Sequence, residues 1–307
     1  MSSITILGSN SAISVYDRYP SGQVFSSKNS NVLIDCGEGT QFRMSQYGIK
    51  KSKIDAIFIT HLHGDHVFGL PGLITSYQLA GRRKKLTIFG PQPIKKYLDL
   101  NLGGIGHFIS FPLEIIEIDE ALEKDALHEI YQDGNIKVEA FHLYHRVPCF
   151  GYKISEKPKR LKISKAFISE YSPSVEQIKA IIQGEDFTTA DGTVKPNDEI
   201  TVQSGSSKSF AYCSDTIFHE PLSEVLKGTT CIYHESTYLE PYKKQAAERY
   251  HSTAMQAGII AKGASAQSLI LGHYSSRYYE TEPFREEASK SFSGKIVLAK
   301  EGLCVEI

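Results

Sequence analysis

His61, His63, Asp65 and His66 fall within six consecutive residues, in the order His-x-His-x-Asp-His. Neutral imidazole nitrogen and carboxylate oxygen are donors that zinc accepts, and a catalytic zinc site keeps one position open for water. A polar turn has no need of imidazoles at this density, so the cluster reads as a metal-binding loop. Its setting supports that reading. Residues 54–59 are largely apolar, and Ala56-Ile57-Phe58-Ile59-Thr60 has the β-branched and aromatic content of a buried strand. The histidines follow where that strand ends, with Gly64 available to turn the chain. A strand fixed in the core holds the backbone of the loop after it, so side chains there can converge on one point.

The same event recurs along the chain: an apolar strand ends and a ligand-type residue follows. It occurs at His61, at His142 after 136–141, at Asp215 after 209–213, at His234 after 231–233 and at His273 after 268–271. Further elements lie between. Residues 4–7 and 31–35 read as strands of an opening meander, 40–47 as a short helix, and 69–79 as a helix opened by Gly69-Leu70-Pro71-Gly72. A strand over 86–91, a helix over 94–100, a helix over 253–263 capped by His251-Ser252-Thr253 and a last strand over 296–299 complete the alternation. Alternating strands and helices place the chain in the α/β class. Residues 155–199 break the rhythm. They are rich in Lys, Glu, Ser and Pro, with a turn at Asp191-Gly192 and two weak helical patches. This stretch reads as an arm inserted into a single domain spanning 1–307.

With 307 residues and no apolar run long enough to cross a bilayer, the chain can bury a sizeable core and is not expected to span a membrane. Residues 1–12 lack the basic start of a signal peptide and read better as a first strand. Its five cysteines are scattered and never spaced C-x-x-C, which favours reduced thiols and a cytoplasmic setting. The net charge of −1 gives no bulk attraction to nucleic acid, but basic clusters at 50–53, 82–85 and 157–165 leave room for a basic face.

The chain resembles the metallo-β-lactamase superfamily and, within it, the ribonuclease Z family, whose members mature the 3′ ends of transfer RNA. The likeness covers most of the chain. It rests on Leu33-Ile34-Asp35-Cys36-Gly37-Glu38-Gly39-Thr40-Gln41, on residues 60–66 and on Gly69-Leu70-Pro71-Gly72-Leu73. It continues through Gly90-Pro91, His142, Ser214-Asp215-Thr216, His234-Glu235-Ser236-Thr237, His251-Ser252-Thr253 and 272–278. The His-x-His-x-Asp-His cluster alone marks the superfamily; the segments around Asp35, His234 and His273 are the narrower marks.

The resemblance implies a four-layer αβ/βα sandwich of two facing sheets, with two zinc ions at one edge. It assigns His61, His63 and His142 to the first ion, Asp65, His66 and His273 to the second, and Asp215 as the bridge. Two metals roughly 3.5–4 Å apart can clamp the attacking and leaving oxygens of a phosphodiester, and zinc acidifies its bound water. The likeness also makes Asp65 a candidate general base. His251 is the candidate group at the leaving 3′ oxygen, and Glu235 its orienting carboxylate. Arg277, planar and permanently charged, suits a phosphate clamp. The implied substrate is precursor transfer RNA and the implied assembly a homodimer. In this family an arm grips the transfer RNA elbow; residues 155–199 take that place, with Lys157, Lys159 and Arg160 as phosphate contacts. The Gly-Pro-rich segment usual in that arm is absent here, and Glu170, Glu176, Glu185 and Asp186 make it acidic in part. Two other readings fit the same ligands: a small-molecule hydrolase of this fold, or a non-catalytic RNA-binding member. Salt-dependent binding of transfer RNA separates the first from a ribonuclease. Seven competent ligand positions speak against the second.

Overall fold

Alternation of side chains along a strand decides which layer each residue joins, since neighbours point to opposite faces. In the strand Ser30–Ile34, Val32 and Ile34 enter one core while Leu33 enters another. In Ala56–Phe58, Ala56 and Phe58 join the first and Ile57 the second. Both faces are apolar, so the strands must be covered on both sides. The structure is a computed structural model that describes residues 2–103, 109–157, 161–202 and 207–307.

The chain divides into two units, one made of Met1–Ser155 with Lys208–Ile307 and the other of Glu156–Ser207. The larger unit holds two seven-stranded sheets. The first runs, edge to edge, Cys304–Glu306, Ser3–Gly8, Gly22–Ser27, Ser30–Ile34, Ala56–Phe58, Leu86–Pro91 and Leu113–Ile118. It begins antiparallel and becomes parallel from Ser30–Ile34 onward. The second runs Lys295–Leu298, Ser268–Gly272, Cys231–Glu235, Ser209–Cys213, Cys149–Glu156, Ile136–Leu143 and His128–Gln132. Its first four strands are parallel.

Aromatic rings join the sheets face to face. Phe58 of the first lies 5.2 Å from Tyr152 of the second, and Phe25 stacks at 6.3 Å on Phe210. Helices Thr40–Gln46, Leu70–Leu79 and Ile94–Leu98 bury Met44, Leu73, Ile74, Ile94 and Leu98 on the outer face of the first sheet. Helix Ala254–Gly263 does the same for the second sheet with Ala257, Ile260 and Ala261. Thr253 caps that helix in a capping box with Gln256. The four layers are therefore helix, sheet, sheet, helix, as the resemblance implied.

Four strands of the two sheets were not read from the sequence, among them Gly22–Ser27 and Cys304–Glu306, the latter lying beyond the strand over 296–299 that was expected to be the last. Leu113–Ile118, where Glu114 and Glu117 interrupt an apolar run, is one edge of the first sheet, and His128–Gln132 is one edge of the second. The smaller unit has a core of its own. Phe167, Ile181, Phe187 and Ile200 are buried together, with Ile163 and Tyr171 against them. They come from helices Lys165–Tyr171, Val175–Ile182 and Asn197–Ile200, from the hairpin of Phe187–Thr188 with Val194–Lys195, and from the short ladder that pairs Lys162–Ile163 with Thr201–Val202. Ser164 and Ser174 cap the first two helices.

Candidate metal centre

Parallel strands that end side by side present their following residues at one edge. Ser209–Cys213 leads to Asp215, Cys231–Glu235 ends on its own carboxylate, and Ser268–Gly272 leads to His273. Cys213 is in register with His234, and Glu235 with Gly272, so these ends lie level. From the first sheet, Ala56–Phe58 leads through Thr60 to His61. The ligand loop is laced to the turn at residues 35–37: Cys36 N–H donates to the His66 carbonyl at 2.8 Å, and Gly69 N–H to the Cys36 carbonyl at 2.8 Å. A Cβ on Gly37 would lie 2.3 Å from the Asp65 carbonyl oxygen, so only glycine permits this approach.

These ends bring together two groups of donors. His61, His63, His145 and Asp215 form one, Asp65, His66 and His273 the other, with the donor atoms of each group within 4.8 Å of one another. Asp215 faces both. Its Oδ1 lies 3.1 Å from His273 Nε2 and 3.4 Å from His66 Nε2, while Oδ2 lies 3.7 Å from His61 Nε2 and 3.9 Å from His145 Nε2.

The surrounding hydrogen bonds fix which nitrogen of each neutral imidazole is bare. Asp35 Oδ2 can only accept, so His66 Nδ1–H donates to it at 2.8 Å. Thr60 Oγ1 gives its proton to Asp35 at 3.0 Å and therefore accepts from His61 Nδ1–H at 3.1 Å. Thr237 Oγ1 gives its proton to Glu235 Oε2 at 2.7 Å and accepts from His273 Nδ1–H at 2.9 Å. His145 Nδ1–H donates to the Tyr250 carbonyl at 3.0 Å. In all four, Nε2 carries the lone pair and faces the centre. His66 Nε2 and His273 Nε2 lie 3.3 Å apart, and His63 Nδ1 lies 3.1 Å from His61 Nε2 and 3.3 Å from His145 Nε2. Lone pairs converging beside carboxylates favour a cation between them, a proton or a metal ion, and imidazole with carboxylate fits a divalent metal such as zinc.

Charge follows the same logic. Burial pushes His61, His63 and His145 below the ordinary imidazole range, towards the neutral form that binds metal. Burial pulls His66 down too, but Asp215, Asp35 and Asp65 outweigh it and hold it well above that range, so a metal ion would have to displace a proton from its Nε2. Burial disfavours ionised Asp65 and Asp215, yet the facing histidines keep both carboxyls well below the usual carboxylate range. His251 also lies within 4.8 Å of donor atoms of Asp215 and His273, and its Nδ1 is paired at 2.8 Å with Glu235 Oε1. Glu235 is fully buried and also accepts from Thr216 N–H and Thr237 N–H, each at 3.0 Å. Burial lowers His251, but Glu235 overcomes this and raises it to about 9.

The structure corrects one expected ligand. The strand expected to end at Phe141 runs on to Leu143, so His142 lies inside it. Phe141 and Leu143 fill the core between the sheets, while His142 Nε2–H donates to the Leu122 carbonyl at 3.0 Å. The true strand end delivers His145 instead. Carried on, the alternation of Ile136, Val138 and Ala140 points to His142; Phe141 is buried as well and shifts the parity, so the sequence carried no clear signal for His145. His234 is likewise not among the donors; its Nδ1–H donates to the Glu235 carbonyl at 2.7 Å. Arg277 is exposed, its guanidinium 4.1 Å above the Tyr242 ring. Lys157 belongs to the smaller unit, and Lys159 and Arg160 lie outside the described residues. Asp35, Thr237 and the Tyr250 carbonyl, which set the imidazole tautomers, were not assigned from sequence.

Comparison with known proteins bears on the same residues. A family model described as Anti-Pycsar protein Apyc1 matches residues 2–157, the part that carries the His-x-His-x-Asp-His loop. A protein named ribonuclease Z from Parabacteroides distasonis is 38% identical over 308 residues, covering 99% of this chain and 98% of its own. The chain belongs to the ribonuclease Z family. Another ribonuclease Z, from Cytophaga hutchinsonii, is 41% identical over 288 residues, covering 94% of this chain and 90% of its own. Among solved structures, the short form of human tRNase Z superposes with a TM-score of 0.71 at 23% identity, covering 99% of both chains. The metallo-β-lactamase fold protein YhfI from Bacillus subtilis superposes at 0.69 with 17% identity, covering 99% of this chain and 98% of its own. These likenesses place this ribonuclease Z family member in the metallo-β-lactamase fold. Among the described residues no helix is long and apolar enough to cross a membrane.

Proposed function

We propose that this chain is a metal-dependent endoribonuclease that cuts precursor transfer RNA and removes its 3′ trailer. The observation that carries the reading is Asp215, whose two oxygens face two separate sets of bare imidazole nitrogens. On this reading His61, His63, His145 and Asp215 hold one zinc ion, and Asp65, His66, His273 and Asp215 a second. When bound, the pair supplies positive charge for the phosphate and an acidified water.

The chain's own groups do the rest. Asp65 takes the proton that the attacking water loses. His251, when protonated and held through Nδ1–H by Glu235, offers its Nε2 proton to the departing 3′ oxygen. Water adds to phosphorus, the P–O3′ bond breaks, and the products are a 3′-hydroxyl and a 5′-phosphate. Thr216 and Thr237 fix Glu235, so the pair is set before substrate arrives.

The unit Glu156–Ser207 is the proposed grip on folded RNA, with Lys157, Lys159 and Arg160 against phosphate, and Arg277 is proposed as a phosphate clamp. A homodimer and a cytoplasmic setting complete the proposal; the five cysteines are free thiols and four of them are buried. The direct test is to incubate zinc-loaded protein with a precursor transfer RNA carrying a 3′ trailer and map the product ends. Cleavage at the start of the trailer supports the reading. Turnover of small phosphodiesters with intact precursor would favour a small-molecule hydrolase instead.

A further inference from the structure

Asp65 has a partner from a distant part of the chain. Ala12 N–H donates to Asp65 Oδ2 at 2.8 Å, across 53 positions of sequence. Oδ2 is the same oxygen that lies 3.5 Å from His66 Nε2 and 3.7 Å from His273 Nε2. Ala12 reaches it in a left-handed conformation, φ 63°, and Tyr16 and Asp17 in the same loop are left-handed too, each at φ 56°. Left-handed residues other than glycine persist only where surrounding contacts impose them.

Those contacts are present. Ser11 N–H donates to the Tyr274 carbonyl at 2.9 Å, and Tyr274 N–H returns a bond to Ser9 at 2.9 Å. Asn10 Nδ2 donates to the carbonyls of Ser11 and Ile13, pinning the turn that presents Ala12. The Arg18 guanidinium donates to the Tyr278 carbonyl, and the Tyr16 ring meets Tyr279 edge-on at 5.0 Å. One short loop is thus bonded to Asp65 and also to the segment immediately after His273. Asp65 and His66 come from the first sheet's loops and His273 from the second, so nothing in the local sequence sets their spacing.

We propose that residues 10–18 form a strap that positions the second donor group, with the Ala12 N–H holding Asp65 in register with His273. The proposal rests on the reading of Asp65, His66 and His273 as metal ligands. Ala12 and Asn10 are positioning residues, acting through Asp65 and not on substrate.

The test has two arms. In the first, zinc is titrated against a competing chelator into metal-free wild-type protein and Asn10→Ala. The strap predicts that one of two sites weakens by about tenfold or more, the usual scale for loss of a ligand's supporting contact, while the other stays within twofold. Equal weakening of both sites, or no change, overturns it. In the second, amide hydrogen exchange is read by NMR on metal-free wild type and Asp65→Ala. Ala12 N–H should exchange more slowly in wild type and lose that protection in the variant, while Ser11 N–H keeps its protection. Equal Ala12 rates overturn the strap even if Asn10→Ala fails to fold. A protein that takes up no zinc contradicts the metal reading, and the exchange arm still decides the strap.

Discussion

Replacing Glu235 by Gln should disable His251 without emptying the metal centre. Glu235 is fully buried and offers acceptors to four donors: Thr216 N–H, Thr237 N–H, Thr237 Oγ1–H and His251 Nδ1–H. An amide keeps one oxygen, so its NH2 must face donors, and the charge that holds the imidazolium is gone. His251 stands at about 9 against an ordinary 6.5; at 1.36 kcal/mol per pH unit the difference is about 3 kcal/mol. The sign follows from linkage. A histidine whose folded pKa is raised stabilises the fold fully below about 6.5 and loses that contribution as pH rises through about 9. Denaturation of metal-free protein should therefore show Glu235→Gln less stable at pH 6, with the deficit shrinking by about 3 kcal/mol on reaching pH 10. An NMR titration should find His251 near 9 in wild type and at or below the ordinary value in the variant. A wild-type His251 that titrates at 6.5 or lower, or a stability gap that does not change with pH, would refute the reasoning.

Three further outcomes follow from the same geometry. His145→Ala should lose zinc from the first donor group and cut precursor cleavage by orders of magnitude, whereas His142→Ala should keep both; the reverse pattern in metal content would reinstate His142. Thr237→Val leaves Glu235 Oε2 and His273 Nδ1–H each one partner short. Glu235 Oε2 keeps the Thr237 N–H, so the stranded His273 Nδ1–H should cost about 1–3 kcal/mol of stability and weaken zinc by about 10–100-fold, and unchanged binding by calorimetry would count against the tautomer argument. Replacing residues 156–207 with a short linker should raise KM for precursor transfer RNA while sparing turnover of a small phosphodiester; equal loss of both would make the unit structural.

Much of the centre could be read along the chain because its clues are local. His61, His63, Asp65 and His66 sit in one turn, and Asp215 and His273 directly follow parallel strands that end level. His145 escaped because it depends on where one strand stops: two more residues of Ile136–Leu143 turn His142 away from the edge. Asp35 appeared only as part of a motif, since its role comes from a contact with His66 across 31 positions. The strap at residues 10–18 had no signal, because its purpose lies in bonds to Asp65 and Tyr274 and not in its own composition. Likewise the core of Phe167, Ile181, Phe187 and Ile200 is assembled from short, separated elements, so only weak helical patches were visible in the sequence. The strand Leu113–Ile118 was overlooked because Glu114 and Glu117 open the acidic stretch 114–129 and interrupt its apolar run.

Anomalous diffraction at the zinc edge, from crystals of the zinc-loaded protein, tests the central claim most directly. Two peaks should appear on either side of the Asp215 carboxylate, one among His61, His63 and His145 and one among Asp65, His66 and His273. A single peak, or a peak coordinated by His142 in place of His145, would contradict it.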